Sequence, residues 1–206
     1  MKEGVKSGRQ TSRRILDASQ SLIAEHGYAA VSMRTIAEAV GVNVGALYNH
    51  FATKQQILVT LMSGHMEGLL AAWEQARPGD PDPRVQLDTF ARFHVHHHVT
   101  RKQAVFIAYM ELRSLEEIGH AEIVALRGRY EDYLKDILAA GRDQGLFDIA
   151  DVHVAATALL AMLTGVNTWY QPGGRLSEQE IEDIYAELAL KSVGATRVRN
   201  ECSTPR

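Results

Sequence analysis

Apolar side chains recur three and four residues apart along nearly the whole chain, while alternating β-branched runs bounded by turn residues are almost absent. A 3.6-residue period buries one stripe of a helix and a two-residue period one face of a strand, so this spacing predicts an all-α fold. Ile15, Ala18, Leu22 and Ile23 share one face of a first helix, with Thr11 or Ser12 to cap its start and Gly27 to end it. Ser32 caps a short second helix that turns Ile36, Ala37 and Val40 inward, and Gly41 permits the tight turn that stops it. Asn43 then caps a very short third helix running through Leu47 to about His50, and Thr53 with Gln56 forms a capping box that opens a fourth at 54–75. The stretch 77–83, with Pro78, Pro81 and Pro83, cannot continue a helix. Beyond it, helices are expected at about 84–98, 102–115, 120–144, 151–170 and 177–193, the last opened by a second capping box from Ser177 and Glu180, which makes about nine in all.

Charge divides the chain. Residues 1–55 carry seven Lys or Arg against four Asp or Glu, whereas the whole chain is at -3, so the remainder is acidic at -6. A basic front on an acidic body suits a nucleic-acid-binding head joined to a domain that does something else. The expected division is a helix-turn-helix domain at 1–52, a ligand-binding and dimerisation domain at 53–195 and a flexible tail at 196–206. Cys202, the single cysteine, excludes an internal disulfide, and the N-terminus lacks the apolar run of a signal peptide, so a cytoplasmic protein is expected. The most apolar stretch, 152–166, is interrupted by His153, Thr157 and Thr164 and reads as a buried helix rather than a membrane span. Being apolar nearly all round, the helix at 151–170 calls for contact on several sides: its own core and a second subunit.

Three short helices with a glycine between the second and third match a helix-turn-helix. The stretch 32–54, SMRTIAEAVGVNVGALYNHFATK, resembles the DNA-binding domain of the TetR family. That resemblance implies a repressor that binds a palindromic operator as a homodimer and is released by a small molecule. Ile36, Ala37, Val40, Leu47 and Phe51 read as the core of the head. Asn43, a candidate DNA contact, caps the recognition helix, and Val44, Gly45 and Ala46 open it with small side chains that let its N-terminal end approach base edges in the major groove. Tyr48 and His50 can reach backbone phosphates, and Lys54, at the start of the fourth helix, puts its charge where free amides also face a phosphate. By the same resemblance Arg34 and Thr35 make base or backbone contacts. The guanidinium fork of Arg34 suits the two acceptors of guanine. Lys2, Lys6 and Arg9 are either a DNA-seeking arm or ordinary solvated charges.

His94, His96, His97 and His98 invite a metal-site reading, since His94 and His98 are four apart on one helical face. No Cys is near, and Glu111 is the nearest acidic candidate for a third ligand. No metal, no cofactor and no catalytic residue are expected, and a metal-dependent helical enzyme built on these histidines is the distant alternative. Most of the aromatic set Phe90, Phe93, Phe106, Tyr109, Tyr130 and Tyr133 reads as core. Phe93, His97, Phe106, Tyr109, Met110, Arg113 and Tyr130 are the candidate ligand contacts, because bundle sites combine an apolar lining with a few polar groups. The segment 169–177 and the histidine run followed by 106–115 are similar to a subgroup of TetR regulators of fatty acid, aromatic acid or steroid degradation, which implies an acyl-CoA ligand. The basic residues available for its diphosphate, Arg101, Lys102, Arg127 and Arg129, are scattered. An efflux-type regulator sensing a hydrophobic drug is the other reading.

Overall fold

The computed structural model describes residues 2–195, with side chains from residue 8 onward. The described residues form nine α-helices and one short 3-10 turn, and no strand. These are α1 (Lys2–His26), α2 (Met33–Val40), α3 (Val44–Tyr48), α4 (Lys54–Ala76), α5 (Pro83–Thr100), α6 (Lys102–Met110), α7 (Glu117–Asp143), α8 (Val152–Trp169) and α9 (Glu178–Ser192), with the 3-10 turn Leu112–Ser114 after α6. The tail with Cys202 and the side chains of Lys2 and Lys6 lie outside the described residues.

Two compact units emerge. The first comprises the chain up to Gly68 together with Arg101–Arg127; the second comprises Leu69–Thr100 and the chain from Gly128 on. These units cut across a division at residue 53, because the core of the first takes residues from both segments. Ile15, Ile23, Ile36, Leu47, Ile57 and Leu58 are fully enclosed there, and Ile107, Ala108 and Ile123 close the same cluster. Within this unit α1 packs on α2 and on α6. In the second unit α5 packs on α8 and α9, and Phe90 sits edge-on to Trp73 at 5.0 Å and stacked on Tyr130 at 5.2 Å.

Several boundaries differ from the expected ones. α1 starts at Lys2 rather than at Thr11 or Ser12, and the Ser12 hydroxyl lies 2.9 Å from Nδ1 of His50. α6 stops at Met110, five residues early. There Glu111 turns inward, and its carboxylate accepts from the amide of Tyr28 at 3.0 Å and from the hydroxyl of Ser114 at 2.7 Å. α7 begins at Glu117, which adds an acidic first turn. Thr53 caps the amide of Gln56, but the returning Gln56 side chain reaches the amide of Ala52 rather than closing the box on residue 53. The box at Ser177 and Glu180 is complete in both directions. Finally, α8 is not a buried helix: only Ala156, Leu159, Leu163 and Val166 are enclosed. It is the one helix among the described residues long and apolar enough to cross a membrane, but its inward stripe packs on α5.

His65, buried on α4, is a group the sequence reading passed over. Burial first, then the positive charges of Arg101 and Arg127, push its imidazole from 6.5 down to about 4. Between those values the unfolded chain takes up a proton that the folded chain refuses. The stability tied to this group is therefore complete above pH 6.5 and is lost as pH falls toward 4. Its full size is on the order of 3 kcal/mol. Urea unfolding at pH 7 and pH 4.5 should show this loss, and His65→Gln should flatten the slope between them.

Candidate nucleic-acid interface

The two short helices of the head are each capped at the N-terminus by a side chain. Ser32, extended at φ -108°, accepts from the amide of Thr35 at 3.1 Å, and Asn43 accepts from the amide of Ala46 at 2.7 Å. Gly41 between the two helices has φ 74°, a left-handed conformation that a Cβ would strain. Its turn returns two backbone bonds, from Gly41 to Glu38 and from Val42 to Ala37. Arg14 locks the turn from α1 by donating to the carbonyl of Val40 at 2.6 Å. No spacing rule reveals this contact, since Arg14 reads in the sequence as one more surface charge.

On that frame Ile36, Ala37, Val40, Leu47 and Phe51 are buried as expected, and Arg34, Asn43, Gly45 and Tyr48 are exposed. Tyr48 keeps half of its surface. Thr35, Val44 and His50 are half-buried. The Thr35 hydroxyl lies 2.8 Å from that of Ser32. Arg34, Met33, Val44, Tyr48 and Lys54 line one open groove of about 550 Å³. A cationic fork and a phenol on the rim of a concave strip beside the start of α3 match what a nucleic-acid edge requires: a donor pair for bases and a donor for phosphate.

Lys54, which lines this groove, also has a duty within the fold. Its Nζ donates to the carbonyls of Tyr28 at 2.9 Å and Val31 at 2.8 Å and sits 4.1 Å from the centroid of the Tyr28 ring. Two of its three donors thus fasten the loop ahead of α2, and the amide of Gln56 nearby is already taken by Thr53. Lys54→Met should therefore lower the stability of the first unit by about 1–2 kcal/mol, in addition to any effect on DNA. Thermal unfolding without DNA checks this, and an unchanged midpoint would return Lys54 to a purely electrostatic role.

The expected ligand contacts do not share one unit. Phe93, His97 and Tyr130 belong to the second; Phe106, Tyr109, Met110 and Arg113 belong to the first, where all four are exposed, and the guanidinium of Arg127 lies 4.5 Å from the Tyr109 ring. In the second unit the histidines separate by direction. His94, His97 and His98 are buried and His96 is exposed. His94 lies 3.2 Å from the Tyr130 hydroxyl and 3.0 Å from that of Thr164, and its ring stacks on His98 at 3.7 Å. Glu111, weighed as a third metal ligand for this run, has its carboxylate engaged in the first unit instead. The second unit also holds a cavity of about 430 Å³ between Trp73, Gln86, Tyr133 and Ile137, rimmed by Glu74, Arg77 and Asp136; none of Phe93, His97 and Tyr130 lines it.

Residues 15–61, which contain this head, match the bacterial regulatory proteins of the tetR family, and residues 80–193 match the tetracyclin repressor-like C-terminal domain. The chain belongs to the TetR family. This TetR protein is similar to the HTH-type transcriptional repressor KstR2 of Rhodococcus jostii, 27% identical over 193 residues that span 92% of this chain and 93% of the relative. Among solved structures it resembles the TetR regulator PfmR of Thermus thermophilus, 33% identical with a TM-score of 0.78 over 86% of this chain and 97% of the other. It also resembles AibR in complex with isovaleryl coenzyme A and operator DNA, 29% identical with a TM-score of 0.77 over 86% and 97%.

Proposed function

We infer that this TetR protein is a transcriptional repressor that binds a palindromic operator as a homodimer and is released by an acyl-CoA thioester. The observation that carries the DNA reading is the exposed Arg34–Tyr48 groove on a head whose two short helices are capped, so that the reading side chains stand on fixed backbone. AibR, similar over 86% of this chain, was captured with both an acyl-CoA and its operator, which supports the ligand class. Dimerisation is supported by the apolar side chains left exposed on α8 and α9, namely Val154, Trp169, Ile184 and Leu188. Two such helices from each subunit build a four-helix bundle. The functional division at residue 53 belongs to this reading, as do a cytoplasmic location and a regulatory rather than catalytic role. Of the expected ligand contacts, Phe93, His97 and Tyr130 are those we assign to the acyl portion. Ligand and operator are then linked reciprocally, each weakening the other by the same factor.

A mobility-shift assay on the DNA upstream of its own gene, with isovaleryl coenzyme A and longer acyl thioesters against the free acids, tests both halves. Arg34→Ala should cost about 1–3 kcal/mol at one base position and relax the preference there. Unchanged affinity and specificity in that variant would remove Arg34 from the interface. Release by a hydrophobic drug but by no thioester would replace the ligand class.

A further inference from the structure

His96 is the member of the 94–98 run that the core does not use. It stands on α5 facing α9, where Glu178 and Glu182 lie four residues apart on one helical face. Its Nδ1 is 2.6 Å from Oε1 of Glu178 and 3.2 Å from Oε1 of Glu182. All three donor atoms fall within 4.8 Å of one another. Like charges at this spacing repel, and burial holds the Glu182 carboxyl above its ordinary range although His96 pulls it the other way. Arg92, one turn earlier on α5, has its contacts with Asp88 and Asp183, each at 2.6 Å.

The two carboxylates meet the imidazole differently. Glu182 has the geometry of a hydrogen bond to Nδ1. Oε1 of Glu178 is buried and has no hydrogen-bond partner, although the ring nitrogen is only 2.6 Å away. A proton on Nδ1 directed at Glu182 leaves the nearer oxygen with an ion-pair contact only. A cation at the centre of the three atoms serves all of them at once.

We propose that His96, Glu178 and Glu182 form a divalent-metal site that pins the start of α9 to α5. One imidazole and two carboxylates are a borderline donor set suited to Zn²⁺, with a water in the remaining position. Tetrahedral donors about 2.1 Å from zinc lie about 3.4 Å apart, so small side-chain rotations bring the three into place. The set differs from the buried histidines His94, His97 and His98, which it leaves in the core. Uptake requires a deprotonated imidazole, so binding weakens on acidification.

The test is calorimetric titration of the full chain with ZnCl₂ at pH 7.5, compared with His96→Ala, Glu182→Gln and Glu178→Gln, circular dichroism confirming the helical fold of each. The wild type should take up one Zn²⁺ that raises its thermal midpoint, and each substitution should weaken that binding at least tenfold and abolish the shift. Glu178 is the most peripheral of the two carboxylates, so Glu178→Gln keeps the test open if His96→Ala does not fold. Equal Zn²⁺ uptake by the wild type and the variants overturns the site, as does a wild type that binds none; the cluster is then an ion pair only.

Discussion

Leu47→Ala should abolish operator binding while leaving the second unit folded. α3 has five residues, too few to sustain a helix in isolation, and Leu47 is its one buried residue, with no exposed surface at all. Truncating an enclosed leucine costs about 2–5 kcal/mol, the spread reflecting how far the site collapses. Here little can collapse, because Gly41 and the Asn43 cap already fix the approach of α3. The loss falls on the helix that presents Tyr48. Leu47→Met, which conserves volume, should cost less than about 1.5 kcal/mol and keep the operator. Mobility shifts read against urea unfolding check the pair, and full affinity in the alanine variant would mean that α3 does not need its anchor.

Phe90→Ala should be among the most damaging single changes in the second unit, at about 3–5 kcal/mol. Its ring is wholly enclosed, edge-on to Trp73 and stacked on Tyr130. Tyr130 in turn places its hydroxyl 3.2 Å from Nδ1 of His94, so the void reaches a buried polar pair as well as an aromatic one. Trp73, being buried and in contact, provides the readout: its fluorescence should change in the native state, and the denaturation midpoint should fall. A loss below about 1 kcal/mol would show that the aromatic cluster repacks around the gap.

Periodicity and caps made most of the fold legible. Ser32, Gly41, Asn43 and Ser177 do in the structure what their side chains or conformational freedom suggest locally. Their partners lie within a few residues, which is why a linear reading finds them. Lys54, Arg14 and Glu111 show the opposite case. Each ends on a backbone group far along the chain, and nothing in the spacing of a lone charge says which carbonyl or amide it will meet. The histidines divide for a related reason. Four members of one run share composition, but a helix turns each by about 100°, so His94 enters the core while His96 leaves it for α9. The exposed groove residues were legible through the helix-turn-helix motif; the cavity beside Trp73 was not, because its walls come from three separate stretches of sequence.

The amide of Tyr28 takes its acceptor from Glu111, 83 positions later. In the order of synthesis the DNA-reading helices leave the ribosome first, yet Ile107, Ala108 and Ile123, which close their core, are still unmade. At about 5–20 residues per second, the interval between Gly68 and Arg127 lasts roughly 3–12 s. Until Glu111 is made the Tyr28 amide lacks that acceptor, and until Ile123 is made the apolar cluster of the head lacks a member. A chain cut ahead of Ile123 is therefore expected to hold its operator more weakly than the full chain, which a mobility shift of the truncated product would check.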